Sequence, residues 1–394
     1  MPDQFLHGIE TVEIDNGIRP IQTVKSSIIG LVGTAPAAPA DTFPFDTPVL
    51  VTGPRMAALL GAEGTLKDAY NAAYAQGVSV MIVVRVAEGV SGTDTLGAVA
   101  GDAAEGTGAW ALLNAANLTG QTPRILAAPG FTSTPAASPA SPVTQALVAV
   151  AGRLRAVVIA DGPNTTEADA LIDRGKYGSD RLYIVDPAVQ AWDSTANAYV
   201  TRPASAYVAG ALSASDASRG FWWSPSNRVL NGVAGTARPI SWAISDPDTE
   251  ANRLNAEEVA TIVRKDGFRL WGNRSTATDP LWAFLSVRRT ADMIYESVEE
   301  ALLWAMDRPF SAQLLRDLQD TLQAYLDTLK RRGAILGGTA WIDPELNTEA
   351  TMKAGKLFLD FDIEPPAPLE HLTLQAHRNG DYYEELVLSV TGNR

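Results

Sequence analysis

Two aspartates, Asp161 and Asp186, stand where an α/β protein would carry catalytic or metal-binding carboxylates. Each closes a short apolar run, AVVIA at 156–160 and LYIV at 182–185. The carboxyl ends of parallel strands are where such folds bind ligands, and a metal held by these carboxylates would make the chain a hydrolase. Their neighbours favour a structural role. Asp161 opens Asp-Gly-Pro-Asn and Asp186 precedes Pro187, settings in which aspartate bonds its own backbone to form a turn. The partners such chemistry needs are also missing. The absence of cysteine excludes disulfides, thiolate zinc sites and cysteine nucleophiles. The three histidines, His7, His371 and His377, sit near the chain ends, so residues 8–370 hold no imidazole for a triad or a histidine-led base. No P-loop occurs, and Gly30 and Gly33 lack the third glycine of a dinucleotide fingerprint. We expect no catalytic residues, no cofactor and no metal.

Two further groups of residues are candidates for contact rather than catalysis. The segments GFWWSPSN (220–227) and LWGNR (270–274) could stack sugars or bases, but 31 Lys plus Arg against 45 Asp plus Glu, a net charge of −14, lacks the basic excess that nucleic acid or an anionic membrane demands. They read as buried core or subunit contact. Lys330, Arg331 and Arg332 form a basic cluster at a helix end, where cations oppose the negative end of the dipole. No run reaches the roughly 18 apolar residues of a membrane span, and Met1-Pro2-Asp3 opens no secretory signal.

The elements that would position these residues are legible from periodicity. At 394 residues the chain is long enough for two or three domains. Ser26–Val32 is a short apolar run, and Val49–Thr52 and Val78–Val86 read as strands around a helix at Leu66–Gln76, a small α/β unit. Glu88–Gly108, rich in Gly, Ala and Thr, reads as a domain connection or flexible loop. Beyond it, apolar strands at Arg124–Ala128, Ala156–Ala160 and Leu182–Val185 alternate with helices at Val143–Leu154 and Glu167–Lys176. That alternation indicates a parallel, doubly wound sheet covered on both faces. Two long amphipathic helices follow, one with Ile294, Val298, Ala301, Leu302 and Ala305 on its stripe. The other carries Leu314, Leu318, Leu322, Tyr325, Leu326 and Leu329, and Pro309 separates them. The end is α+β: strands at Lys356–Ile363, Leu372–His377 and Glu384–Val390, broken by Pro365, Pro366 and Pro368 and turned at Asn379-Gly380.

Four segments in series carry a resemblance. PASAYVAGALSASDASRGFWWSPSN (203–227), LNAEEVATIVRKDGFRLWGNRS (254–275), WAFLSVRRT (282–290) and WAMDRP (304–309), in this order and spacing, resemble the contractile tail sheath family. The likeness is to the single-protein sheaths of P2-like myophages and R-type pyocins. The opening HGIETVEIDNG (7–17) and the closing strands also fit, so the resemblance covers nearly the whole chain. It implies α/β plus α+β architecture: a subtilisin-like, doubly wound α/β core domain over 91–280, and an inner α+β domain built from 21–90 and 281–378. Extended arms at 1–20 and 379–394 complete the chain. A shared fold does not imply protease chemistry.

The resemblance also implies a partner set. Such subunits form a helical homo-oligomer of six-membered rings around a tail tube protein, with baseplate and tail terminator proteins at the ends, in a virion tail or bacteriocin particle assembled in the host cytoplasm. Nucleic acid and direct membrane insertion have no part in it. Contraction from a metastable extended state would drive the tube through the host envelope. The arms have a physical rationale as well. A lone strand carrying Ile9, Val12 and Ile14, and a terminal one with Leu386, Leu388 and Val390 on one face, would be open edges in a monomer unless a neighbour accepts them. For the tube contact the candidates are Arg316, Lys330, Arg331 and Arg332, and for the hinges Gly17–Pro20 and Pro365–Pro368. Two rival readings differ in what they predict: a carboxylate-metal hydrolase gives a small closed oligomer, and a static shell or surface-layer protein gives a lattice with one state.

Overall fold

The computed structural model describes residues 21–392. Strands β1 (Ile29–Thr34), β2 (Pro48–Val51) and β3 (Met81–Val86) flank helix α1 (Leu66–Tyr74), and helix α2 (Gly92–Ala100) follows. Strand β4 (Ile125–Ala127), helix α3 (Pro142–Leu154), strand β5 (Val157–Asp161), helix α4 (Glu167–Arg174) and strand β6 (Leu182–Val185) continue the alternation. A β7–β8 hairpin (Val189–Asp193, Ala198–Arg202) leads to helix α5 (Ala204–Arg219), the short β9 (Gly235–Thr236) and helix α6 (Glu250–Ala256). Strands β10 (Val259–Arg264) and β11 (Phe268–Trp271) precede the long helices α7 (Leu285–Leu302) and α8 (Ala312–Arg332). Strands β12 (Gly337–Trp341) and β13 (Asp360–Glu364) and helix α9 (Tyr382–Thr391) complete the order.

Eight strands form one sheet in the order β11-β10-β6-β5-β4-β1-β3-β2, parallel through its centre and antiparallel at both margins. The central strands are buried along their full length. Alternate residues supply two separate cores, as the two-residue period of a strand requires. Ile29, Leu31, Val83, Ile159 and Tyr183 pack with α1 and α5. Val32, Val84, Val158, Leu182 and Ile184 pack with α2, α3, α4 and α6 on the opposite face. Helices therefore cover both faces. Gly210 sets the spacing on one of them: a Cβ there would lie 2.7 Å from Ala73 Cα, so α5 and α1 meet backbone to backbone.

The helix ends follow local chemistry. The Ser141 hydroxyl accepts from Thr144 N–H with Pro142 next in line, opening α3. Ser311 accepts from Leu314 N–H at 3.1 Å to open α8, which Gly333 closes in the left-handed region (φ 76°) after three basic residues.

Three expectations change here. Strands β1–β3, expected in an inner domain over 21–90, lie in the eight-stranded sheet, with β1 hydrogen-bonded between β3 and β4, while Ile21 and Val24 pack with the α7–α8 pair. Glu88–Gly108 is not a flexible connection. Ser91 and Asp94 make a reciprocal capping box that opens α2, which seats Thr95, Val99 and Ala100 in the core. At the end of the chain, Leu372–His377 forms no strand and the Glu384–Val390 segment is helical. Strand pairing needs a neighbour, and a helix satisfies its own backbone.

A third core lies beside the sheet. Met293, Ile294 and Val298 of α7 meet Leu322, Tyr325, Leu326 and Leu329 of α8, and Ile335 and Ala340 close it. The stripe read from the sequence on α8 is the face that is buried.

Candidate functional site

Asp161 and Asp186 are fully committed to the fold. Asp161 is buried at the end of β5 and turns toward the first turn of α5. There it accepts from Ser205 N–H at 2.8 Å and Ser205 Oγ at 2.6 Å, with Gly130 N–H and Thr132 Oγ1 at 3.4 Å. Burial pushes its carboxyl above the usual aspartate range, and the Ser205 hydrogen bonds oppose that shift. Asp186 accepts from Asn164 N–H at 2.7 Å and pairs with Arg238, which also holds Glu250. Burial raises its pKa too, with Arg238 pulling the other way. Among the described residues no cluster of three His, Cys, Asp or Glu side chains is spaced to hold a metal ion. The carboxyl edge of the sheet, where α/β enzymes bind ligands, is here a helix cap and an ion pair.

A group of residues that the sequence reading missed lies at the opposite, amino edge. Arg124 immediately precedes β4, Arg155 lies just ahead of β5, and Arg181 immediately precedes β6, three adjacent strands. Helix α7 crosses this edge and offers Asp292, Glu296 and Glu299, spaced four and then three residues apart so that they share one face. Asp292 accepts from Arg181 at 2.5 and 2.9 Å and from Arg288 at 2.7 Å; Glu296 pairs with Arg124; Glu299 takes Arg155 in a fork at 2.6 and 2.7 Å. Arg289 adds a buried pair with Asp216 of α5 and donates to the Ser26 carbonyl at 3.2 Å. Burial draws the Arg124 pKa down to about 10, which leaves it charged at neutral pH. The signal was an arginine at the head of each of three apolar runs, together with the acidic stripe on one helix.

The two-stranded sheet β12–β13 backs onto α8. Gln323 Nε2 donates to the Gly338 carbonyl at 3.3 Å and Gln323 Oε1 accepts from Ala340 N–H at 2.9 Å, while Gln319 Nε2 donates to the Ala340 carbonyl at 3.1 Å. These glutamines engage β12 backbone groups. Strand β13 pairs with β12 alone among the described residues, so its other edge is open.

Beyond β13 the chain leaves the body. Arg274 grips Glu370 at 2.8 Å, and past that ion pair the hydrogen bonds among the described residues are all local. Leu386, Leu388 and Val390 are 61, 65 and 76% exposed on α9, and Tyr382, Tyr383 and Val387 are equally bare. Apolar exposure on this scale marks a surface meant to be covered. Ile9, Val12 and Ile14, and the Gly17–Pro20 hinge, lie outside the described residues. The basic candidates do not form one patch. Lys330, Arg331 and Arg332 lie together and exposed at the end of α8, whereas Arg316 sits fourteen residues earlier, about 21 Å along the axis. Arg332 lies over the Trp222 ring at 5.4 Å, and Arg331 donates to Thr328 Oγ1 at 2.9 Å.

Comparison with known proteins agrees along the chain. The profile of the phage tail sheath protein central domain matches residues 103–276, and that of the phage tail sheath C-terminal domain matches residues 277–378. A putative prophage major tail sheath protein of Pseudomonas aeruginosa (strain UCBPP-PA14) is 38% identical, across 92% of this chain and 94% of the relative. The tail sheath protein of Escherichia phage P2 is 36% identical, across 99% of both chains. Among solved structures, the anti-feeding prophage helical sheath in its contracted state superposes with a TM-score of 0.70 at 18% identity, covering 95% of this chain and all of that one. The sheath complex of an extracellular contractile injection system, also contracted, gives 0.69 at 16% identity, covering 97% of this chain. Those two show the fold. The closely related sequences, matched almost end to end, show that this chain belongs to the phage tail sheath family.

Proposed function

We propose that the chain is the structural subunit of a contractile tail sheath and not an enzyme. It polymerises as stacked six-membered rings around a tail tube and contracts from a metastable extended state to drive the tube through a host envelope. The observation that carries this reading is the nearly end-to-end match, above one third identity, to tail sheath proteins. The committed carboxylates at the carboxyl edge of the sheet support it and count against the hydrolase reading. The contracted state in which related folds were solved favours a sheath over a static shell. The core sheet, with helices on both faces, is read as subtilisin-like and doubly wound.

Subunits are linked by arms. The C-terminal arm supplies Leu386, Leu388 and Val390, and the N-terminal arm Ile9, Val12 and Ile14, as strands added to a neighbour. The acceptor is the open edge of β13, since a two-stranded sheet is marginal by itself and gains from each added strand. The eleven residues from His371 to Asp381, beyond the Glu370 ion pair, span up to roughly 40 Å when extended. A compact body of this length has a radius of gyration of about 21 Å, so the arm crosses about one subunit. A head-to-tail contact that does not close builds a filament. The extended state persists through its barrier, so its lifetime is a rate, and Pro365–Pro368 is the hinge about which the arm turns as rings slide. The other partners are the tube protein, reached through Lys330, Arg331, Arg332 and Arg316, and the baseplate and terminator proteins. The site of action is a virion tail or bacteriocin particle assembled in the host cytoplasm.

Truncation at Asn379 tests the linkage. The shortened chain is expected to stay folded and monomeric, and ordered sheaths from it would refute the donated arm. Reversal of the four basic residues tests the tube contact: an extended sheath with unchanged salt sensitivity would remove that assignment.

A further inference from the structure

The C-terminal segment carries two incompatible patterns. Wound as α9, it gathers Tyr382, Tyr383, Leu386, Val387 and Val390 into a stripe with helical spacing. Drawn out, it alternates, with Leu386, Leu388 and Val390 on one face and Glu385, Val387 and Ser389 on the other. The helix is held weakly. It has ten residues, fewer than the roughly 12–15 below which an isolated helix is marginal in water, and its β-branched and aromatic residues prefer strands. Glu384 and Glu385 in the first turn favour it through the dipole. No described residue of α9 is buried, so no packed face adds to that support.

Resting on the donated-arm reading above, we propose that residues 382–391 form a two-state element that gates assembly. The segment is helical in the free subunit, where its backbone groups satisfy one another and no open strand is offered. It becomes extended when the β13 edge of a second copy accepts it. The occupant is a second copy because the arm reaches about one subunit away and leaves its own body after Glu370. Only the unwound fraction is competent to add, so helix population scales the apparent affinity and the rate of growth. The free subunit thereby avoids the edge-to-edge aggregation that a permanently extended apolar strand invites.

The direct test compares backbone carbon chemical shifts at Leu386 and Leu388 in the isotopically labelled full chain, free in solution and assembled. Helical shifts in the free subunit and strand shifts in the assembly are expected. The same sign in both states overturns the proposal. A kinetic test uses Ser389→Lys, which places a cation four residues after Glu385 and stays off the Leu386–Leu388–Val390 face. The pair should lengthen the assembly lag by roughly twofold at low salt, with the effect fading near 1 M salt. Glu385→Gly should shorten the lag. A Ser389→Lys lag that is unchanged, or equally long in high salt, counts against the switch. The truncation at Asn379 separates the two levels. If the truncated chain assembles, the donated arm is wrong; if it fails to assemble while the shifts stay helical, the arm stands and the switch is wrong.

Discussion

Replacing Asp292 by Asn weighs the charged rungs under α7 against one another. The Asp292 side chain is 1% exposed and holds two guanidiniums, Arg181 at 2.5 and 2.9 Å and Arg288 at 2.7 Å. The amide keeps the shape and removes the charge, leaving the largely buried Arg181 without its counter-ion and Arg288 with only Asp180, at 3.5 Å. Loss of one partner from a buried ion pair costs about 3–5 kcal/mol, at least a hundredfold in the folding equilibrium. Glu299 stands on the same helix with an equally good fork onto Arg155, yet its side chain is 64% exposed. Glu299→Gln should therefore cost at most about 1 kcal/mol and lose its effect in high salt. Denaturant unfolding followed by tryptophan fluorescence reads both, because Trp282 lies 4.2 Å from the Arg288 guanidinium and reports on this junction. Arg181→Met added to Asp292→Asn should cost less than it does alone, since the cation it removes is already unpaired. Equal midpoint shifts for Asp292→Asn and Glu299→Gln, or a larger one for Glu299→Gln, would show that burial does not set the strength of these rungs.

Because burial raises the Asp161 pKa in the folded chain, the native state binds more protons than the unfolded state between the unfolded value and the raised one. Stability should therefore fall as pH rises through that window, and Asp161→Asn should remove that share of the slope in denaturation measured from pH 7 to pH 4. Gly210→Ala puts a methyl 2.7 Å from Ala73 Cα and should destabilise by about 1–3 kcal/mol, visible as a lowered unfolding midpoint. Leu326→Ala opens a cavity in the core between α7, α8 and β12 and should cost about 2–5 kcal/mol. Limited proteolysis should then release the C-terminal unit before the sheet core.

The fold was legible wherever one pattern governed a segment. Continuous apolar runs gave β1, β3, β5 and β6, because central strands are buried on both faces. The seven-residue repeats on α7 and α8, with Pro309 between them, gave the helix pair. Gly92–Ala100 misled because glycine, alanine and threonine mark a loop by composition, while the Ser91–Asp94 capping box starts a helix whose Thr95, Val99 and Ala100 are buried. The division at residue 90 failed because which strands share a sheet depends on crossovers that no local pattern records. At the C-terminus two periods overlap, and the free chain takes the helix because a strand needs an acceptor. For the candidate site, the exclusion of triads and thiolates followed from residue counts alone. The amino-edge arginines were missed because each reads as an ordinary strand flank. Only the sheet order brings Arg124, Arg155 and Arg181 side by side under one acidic helix face.

The central claim is that this chain builds a sheath by itself. Negative-stain electron microscopy of the purified full-length protein at high concentration tests it most directly. Hollow, striated cylinders of uniform diameter with sixfold end views are the predicted result. Uniform small closed particles, or flat lattices with a single spacing, would contradict it.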